Sequence, residues 1–308
     1  MGAMRTVSHL HSSLYHAVCV CVIDIHWEFP STTSDKANFV LLLQDVRAAL
    51  DAYTVVAYPA GDRSFGLTAA LPCQPEDIDY HDVPGVSAVL DELHLLTYDF
   101  HGAWDGRVGV NAPLTDPPAD KFPSPGRSVD GCVRRWVREG AEPAKIDVGL
   151  PFYGHSYGSA TALYADADGS DGANWWEDKG VPRYASILSK LSEMVSLRDD
   201  ATKTQYAYFE DGGIVSFDDS QAICDKVEYA RQGGLHGVII WELGGDLTEE
   251  LATPLLDVVN YKLQQGDDLQ CELFRQETRG ENGEVLSREE EPNPWYGESS
   301  QNVGTFGR

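Results

Sequence analysis

The chain has 308 residues, 42% of them hydrophobic, which suffices for one large domain with a real core or for two ordinary ones. Its 49 acidic and 23 basic residues give a formal net charge of −26, so no basic patch exists to neutralise phosphates. Nucleic acid and anionic membrane surfaces are therefore excluded as expected partners.

No apolar run reaches the length of a transmembrane helix. The first 20 residues make a poor signal peptide, because their apolar run leads directly into the first strand. MGAMRT fits the loose N-myristoylation pattern. The six cysteines (Cys19, Cys21, Cys73, Cys132, Cys224 and Cys271) show no metal-ligand spacing, and their even count does not indicate a disulfide framework in a chain this size. Cys19 and Cys21 are expected to be inert core thiols.

The first strong element is Cys21 to Pro30, CVIDIHWEFP. On a strand, Asp24, His26 and Glu28 share one face while Ile23, Ile25 and Trp27 occupy the other. Phe29-Pro30 ends the strand and leaves Glu28 at its C-terminal rim, where catalytic side chains gather in parallel β/α barrels. An edge strand with a solvated polar face explains the local pattern equally well.

Ser34-Asp35 then reads as an N-cap, with Phe39, Leu43, Val46 and Leu50 forming one helical stripe. Strand candidates follow at Tyr53–Tyr58 and, more strongly, Phe65–Leu71. Val86–Leu93 reads as a short helix and Leu93–Tyr98 as a strand ending in Asp99-Phe100-His101-Gly102. After a Pro/Gly-rich loop, Ser128 caps a helix carrying Val129, Val133, Trp136 and Val137, which Gly140 stops. Ile146–Leu150 is the next strand, followed by Phe152-Tyr153-Gly154.

From His155 to about Val215 the alternation lapses into a small α+β insertion. It holds a Trp175-Trp176 pair, a helix near Tyr184–Val195 and strand-like runs at Gln205–Phe209 and Gly213–Phe217. A helix with Ile223, Val227 and Ala230, a strand at Gly237–Trp241 and a helix at Leu251–Tyr261 complete the pattern. Residues 264–308, rich in Glu, Gly, Asn, Gln and Pro, are expected to be disordered. Strand–helix alternation at these spacings predicts an α/β fold with a parallel sheet.

Several strand ends together resemble glycoside hydrolase family 18, the chitinases and chitinase-like proteins. IDIHWEFP is similar to that family's fourth-strand signature, Asp-Gly-x-Asp-x-Asp-x-Glu followed by an aromatic residue and Pro. LLTYDFHGAWD resembles the sixth strand, IDVGLPFYGHSY the seventh and GVIIWELGGDL the eighth, and TAALPC is similar to the fifth.

The resemblance implies a TIM (β/α)8-type barrel over residues 21–263, with the insertion at 155–215, and substrate-assisted retaining hydrolysis of β-1,4-linked N-acetylglucosamine polymers. Glu28 would be the general acid, needing a pKa raised by an enclosed site and a neighbouring carboxylate. Asp24 would accompany it. Tyr98 and Asp99 would hold the sugar's acetamido group, Tyr153 would donate a hydrogen bond near it, and Trp241 would form the floor. Phe29, Trp104, Trp175 and Trp176 are the further substrate-binding candidates, although packing explains Trp175-Trp176 equally well. The implied partners are chitin or N-acetylglucosamine oligosaccharides, bound by a monomer. Full-length members of the family are expected to be secreted.

Two departures stand out. The family's Asp two residues before the acid is His26 here, which supplies no negative charge to balance an oxazolinium ion. Losing one such interaction costs about 3 kcal/mol in the transition state. Secondly, residues 1–20 do not resemble the family's first three strands, so the chain is expected to be a truncated member with an incomplete barrel and unpaired edges. The rival reading is a non-hydrolytic chitin- or N-glycan-binding lectin; an endo-N-acetylglucosaminidase shares the motifs. Asp166, Asp168, Ser170 and Glu177 echo a calcium loop, but Asp171 stands where that loop needs glycine. No metal or cofactor is expected.

Overall fold

The computed structural model of the chain describes residues 21–61, 63–117, 125–266, 270–274, 278–279 and 285–287. Met1–Val20, with Cys19 and the myristoylation pattern, lies outside them, as does most of the tail after 266. Five strands form the main sheet: β1 (Val22–Ile25), β2 (Gly66–Leu71), β3 (Glu92–Leu95), β4 (Ile146–Pro151) and β9 (Gly237–Trp241), in the order β1-β2-β3-β4-β9. Every neighbouring pair is parallel. Parallel strands need crossovers, and helices supply them. Thr33–Ala57 connects β1 to β2, Val83–Val89 precedes β3, Val129–Glu139 precedes β4 and Ser220–Gln232 precedes β9. Their apolar stripes, among them Phe39 and Leu43, Trp136, and Ile223 and Val227, share one core with Leu67, Leu93, Val148 and Leu150 of the strands.

A second sheet is antiparallel, ordered β5-β8-β7-β6 from β5 (His155–Tyr157), β6 (Val195–Asp199), β7 (Thr204–Tyr208) and β8 (Ile214–Phe217). The helix expected to run to Val195 ends at Lys190, and a strand, β6, follows it.

The Tyr53–Tyr58 strand does not form. The helix begun at Thr33 runs through it to Ala57, capped at its start by Thr32, whose Oγ1 accepts the Asp35 N–H at 3.1 Å. Tyr53 and Ala57 extend the stripe of Phe39, Leu43, Val46 and Leu50 onto the core, whereas Val55 and Val56 stand exposed. Packing at helical spacing overrides the β-propensity of Thr54, Val55 and Val56.

The cysteines also differ from expectation. Cys73 is bonded to Cys132 and Cys224 to Cys271, across 59 and 47 residues respectively, while Cys21 is exposed and no core thiol. The second bond holds a 3-10 helix, Cys271–Phe274, within the segment expected to be disordered, and β10 (Thr278–Arg279) pairs with β11 (Val285–Ser287) beyond it. In the chain-entropy account, loops of this length make each bond worth about 4 kcal/mol. Reduction, or Cys132→Ser, should therefore lower unfolding stability by about 2–4 kcal/mol per bond. An unchanged denaturant midpoint would show the bonds to be unimportant.

His81 sits in the core between Phe39 and Trp136, its ring centroid 5.4 and 5.8 Å from theirs. Nδ1 faces the Asp77 carbonyl at 3.0 Å and so carries the proton, while Nε2 is buried without a hydrogen bond. Burial disfavours the imidazolium and pushes the pKa down from 6.5 to about 4. A base whose folded pKa is depressed costs stability as pH falls: the loss begins below about 6.5 and is complete near 4, at about 3 kcal/mol. In denaturation curves recorded from pH 7 to 4, His81→Gln should flatten this part of the acid limb relative to the unsubstituted chain. Parallel slopes would contradict it.

Candidate active site

β1 ends at Ile25, so His26 to Pro30 form a turn at the carboxyl rim instead of continuing the strand. His26 and Glu28 still emerge together, with His26 Nε2 2.5 Å from Glu28 Oε1. The two side chains are therefore in direct polar contact. The Glu28 side chain is 52% exposed, so the enclosure expected around a general acid is not built by the described residues. The His26 ring meets Trp241 edge-on, centroids 6.1 Å apart.

Asp24 lies deeper in the sheet. Thr68 Oγ1 on β2 donates to its Oδ1 at 2.6 Å, and His94 Nδ1 on β3 stands 3.3 Å from the same oxygen. Partial burial raises its pKa, but the hydrogen bonds from His94 and Thr68 prevail and hold the carboxyl below its usual value. Reciprocally, burial disfavours protonated His94, yet Asp24 and Glu92 hold its pKa above 6.5.

The segment after β3 places Tyr98 and Asp99. Thr97 Oγ1 donates to the Gly149 carbonyl of β4 at 2.8 Å. A Cβ on Gly149 would sit 2.7 Å from Leu95 O and 2.8 Å from Tyr98 Cε1, so only glycine admits this approach. Asp99 adopts φ = 58°, the left-handed region in which Asp and Asn are the least strained non-glycine residues. Its N–H donates to Asn111 Oδ1 at 2.9 Å and its carbonyl accepts from Gln74 Nε2 at 2.8 Å. Arg127 Nη1 in turn donates to Gln74 Oε1 at 2.6 Å.

The Asp99 carboxylate faces the second sheet. Tyr153 donates its hydroxyl to Oδ1 at 2.5 Å, and His155 Nε2 lies 2.7 Å from the same atom. Burial, with the Asp99 charge, pushes the phenols of Tyr98 and Tyr153 well above their usual 10. Both remain protonated donors at any ordinary pH.

His26, Glu28, Phe29, Gln74, Tyr98, Asp99 and Trp241 line one cavity of about 300 Å³. Tyr153 lines an adjoining hollow of about 360 Å³ with His155, Arg183 and Glu242, and the two hollows share Asp99 and Trp241. Asp24 lines neither and reaches the site through its strand.

The outer aromatic candidates separate. Trp104 is 64% exposed, edge-on to His155 at 5.1 Å. Trp175 is 2% exposed, packed on Phe209 at 6.0 Å with Lys190 Nζ 4.9 Å from its ring centroid, and it reaches only the wall of the hollow that Trp176 lines. Burial there supports the insertion. Trp176 is exposed in a different hollow of about 760 Å³, bounded also by Leu247 and Glu249. Sequence reasoning missed Gln74, Asn111 and the role of His155. Gln74 lies in the Pro72–Pro75 stop after β2, a strand end that had signalled its place; Asn111 lies in a loop with no local signal.

The sequence pattern described as "Glycosyl hydrolases family 18" matches residues 15–246. A probable endochitinase of Caenorhabditis elegans is 32% identical over 233 residues, covering 73% of this chain and 37% of its own length. The chain spans between 36 and 51% of the length of the curated relatives compared. The crystal structure of an immunomodulatory active chitinase from Trichuris suis is 30% identical with a TM-score of 0.76, covering 83% of this chain and 72% of that one. Human YKL-39, described as a pseudo-chitinase with retained chitooligosaccharide binding, is 26% identical with a TM-score of 0.76, covering 82% and 71% respectively. The parallel sheet and the match over residues 15–246, with a relative 32% identical over 73% of this chain, make this chain a member of glycosyl hydrolase family 18.

Proposed function

We propose that the chain carries a chitinase-type site for β-1,4-linked N-acetylglucosamine oligomers, with turnover reduced by His26. The single observation that supports it is the convergence of Glu28, Tyr98, Asp99 and Trp241 on one cavity. In this reading the five parallel strands are strands four to eight of a (β/α)8 barrel, and the antiparallel sheet is the domain inserted after the seventh.

Glu28 protonates the glycosidic oxygen while the sugar's own acetamido oxygen attacks the anomeric carbon, and water later opens the oxazolinium ion with net retention. Tyr98 remains a hydrogen-bond donor and Asp99 is fixed by Tyr153 and His155, so both are preorganised to hold the acetamido group. Trp241, half exposed, offers the apolar face on which a pyranose stacks. His26 acts against the reaction: it engages Glu28 directly, competing with the leaving group for the acid proton. It also places no negative charge beside the developing oxazolinium, a deficit of about 3 kcal/mol, or roughly a hundredfold in rate. The two disulfides fit an oxidising, extracellular setting. The net charge of −26 fits an uncharged polysaccharide better than a polyanion.

The same His26–Glu28 contact favours a second reading, binding without turnover, and YKL-39 carries that description among the similar structures. Product analysis on chitooligosaccharides should show weak cleavage, raised at least tenfold by His26→Asp. No change on that substitution would sink the role given to His26. Glu28→Gln should abolish the residual cleavage while titration calorimetry still detects the oligomer. Binding without any cleavage in the unsubstituted chain and in His26→Asp alike would establish the lectin reading instead.

A further inference from the structure

Toward the amino ends of the strands, away from the sugar cavity, Glu92 and His94 project from one face of β3. Asp147 of β4, His94's Cα partner across the pair, joins them. His94 Nε2 lies 3.3 Å from Glu92 Oε2 and 3.5 Å from Asp147 Oδ2. One ligand atom from each of the three falls within 4.8 Å of the others. Asp147 is 3% exposed, and its Oδ2, facing the cluster, is buried without a hydrogen bond. A buried carboxylate oxygen without a hydrogen bond is costly, and a bound ion is one way to satisfy it.

We propose that Glu92, His94 and Asp147 form a binding site for a divalent transition-metal ion of the zinc type. Ligand atoms about 2.0–2.1 Å from a tetrahedral zinc ion stand about 3.3–3.5 Å apart, which is the spacing from His94 Nε2 to each carboxylate oxygen. An imidazole among the donors selects zinc-like ions over calcium or magnesium.

The outer contacts are those a metal-ligating set needs. His94 turns its other ring nitrogen, Nδ1, to Asp24 Oδ1 at 3.3 Å, the carboxylate–histidine arrangement that fixes the tautomer with Nε2 free to coordinate. Asp147 Oδ1 is engaged by His236 Nδ1 at 2.9 Å, which leaves Oδ2 for the ion. Both nitrogens of His94 face carboxylates, Nδ1 toward Asp24 and Nε2 toward Glu92. Zinc would be held at Nε2 by the imidazole lone pair, with Nδ1–H kept toward Asp24. The ion then lies one hydrogen bond from Asp24. This assignment extends beyond the hydrolase reading and does not depend on it.

The test is calorimetric titration of the chelator-treated full chain with zinc chloride. One equivalent should bind saturably at submillimolar zinc and raise the melting temperature. His94→Ala and Asp147→Asn should each abolish or weaken this binding by more than tenfold, and His236→Ala by about tenfold through the lost outer contact. Glu92→Gln, on a partly exposed side chain, serves if Asp147→Asn fails to fold. Absence of saturable binding overturns the assignment, as does binding that survives all the substitutions and so belongs elsewhere in the chain.

Discussion

Parallel pairing of β1, β2, β3, β4 and β9 is the constraint on which everything else rests. Parallel strands all point one way, so turns far apart in sequence must finish along one edge of the sheet. The turn after β1 delivers Glu28 there, the segment after β3 delivers Tyr98 and Asp99, and β9 ends on Trp241. No single segment holds a site. The pairing brings these three together.

Alternation across the sheet then divides its chemistry. On one face lie the apolar residues that meet the helices, such as Ile23, Ile25, Leu93, Leu95 and Val148. The other carries Asp24, Thr68, Glu92, His94 and Asp147, linked into a polar row by contacts of 2.6 to 3.5 Å. Such a row is stable only if its charges balance, because carboxylates crowded together repel and desolvation penalises each. His94 stands at the centre of the row, and Asp24 keeps its charge because His94 and Thr68 stabilise it. Asp99 plays the matching part at the rim: its backbone is pinned by Asn111 and Gln74, its carboxylate by Tyr153 and His155.

Packing explains where the chain departs from local preference. A β-branched run became helix because Tyr53 and Ala57 continued an apolar stripe already packed into the shared core. Cysteines with no informative spacing became two cross-links because folding brought Cys73 beside Cys132 and Cys224 beside Cys271. Trp175, indistinguishable from a sugar platform by type, proved to be core.

The sequence by itself determined the strand–helix alternation, the family and the residue types at the strand ends. These depend on periodicity and on short contiguous motifs, and both are local properties of a chain. Thus β9 runs over Gly237–Trp241 and Ser128 and Gly140 bound their helix as the pattern required. Only the tertiary structure decided that His26 touches Glu28, that Asn111 and His155 hold Asp99, and that Glu92, His94 and Asp147 stand around one point. Those are distances between side chains on different turns and strands. A linear pattern does not encode them, because they are fixed by which strand lies beside which and in what register.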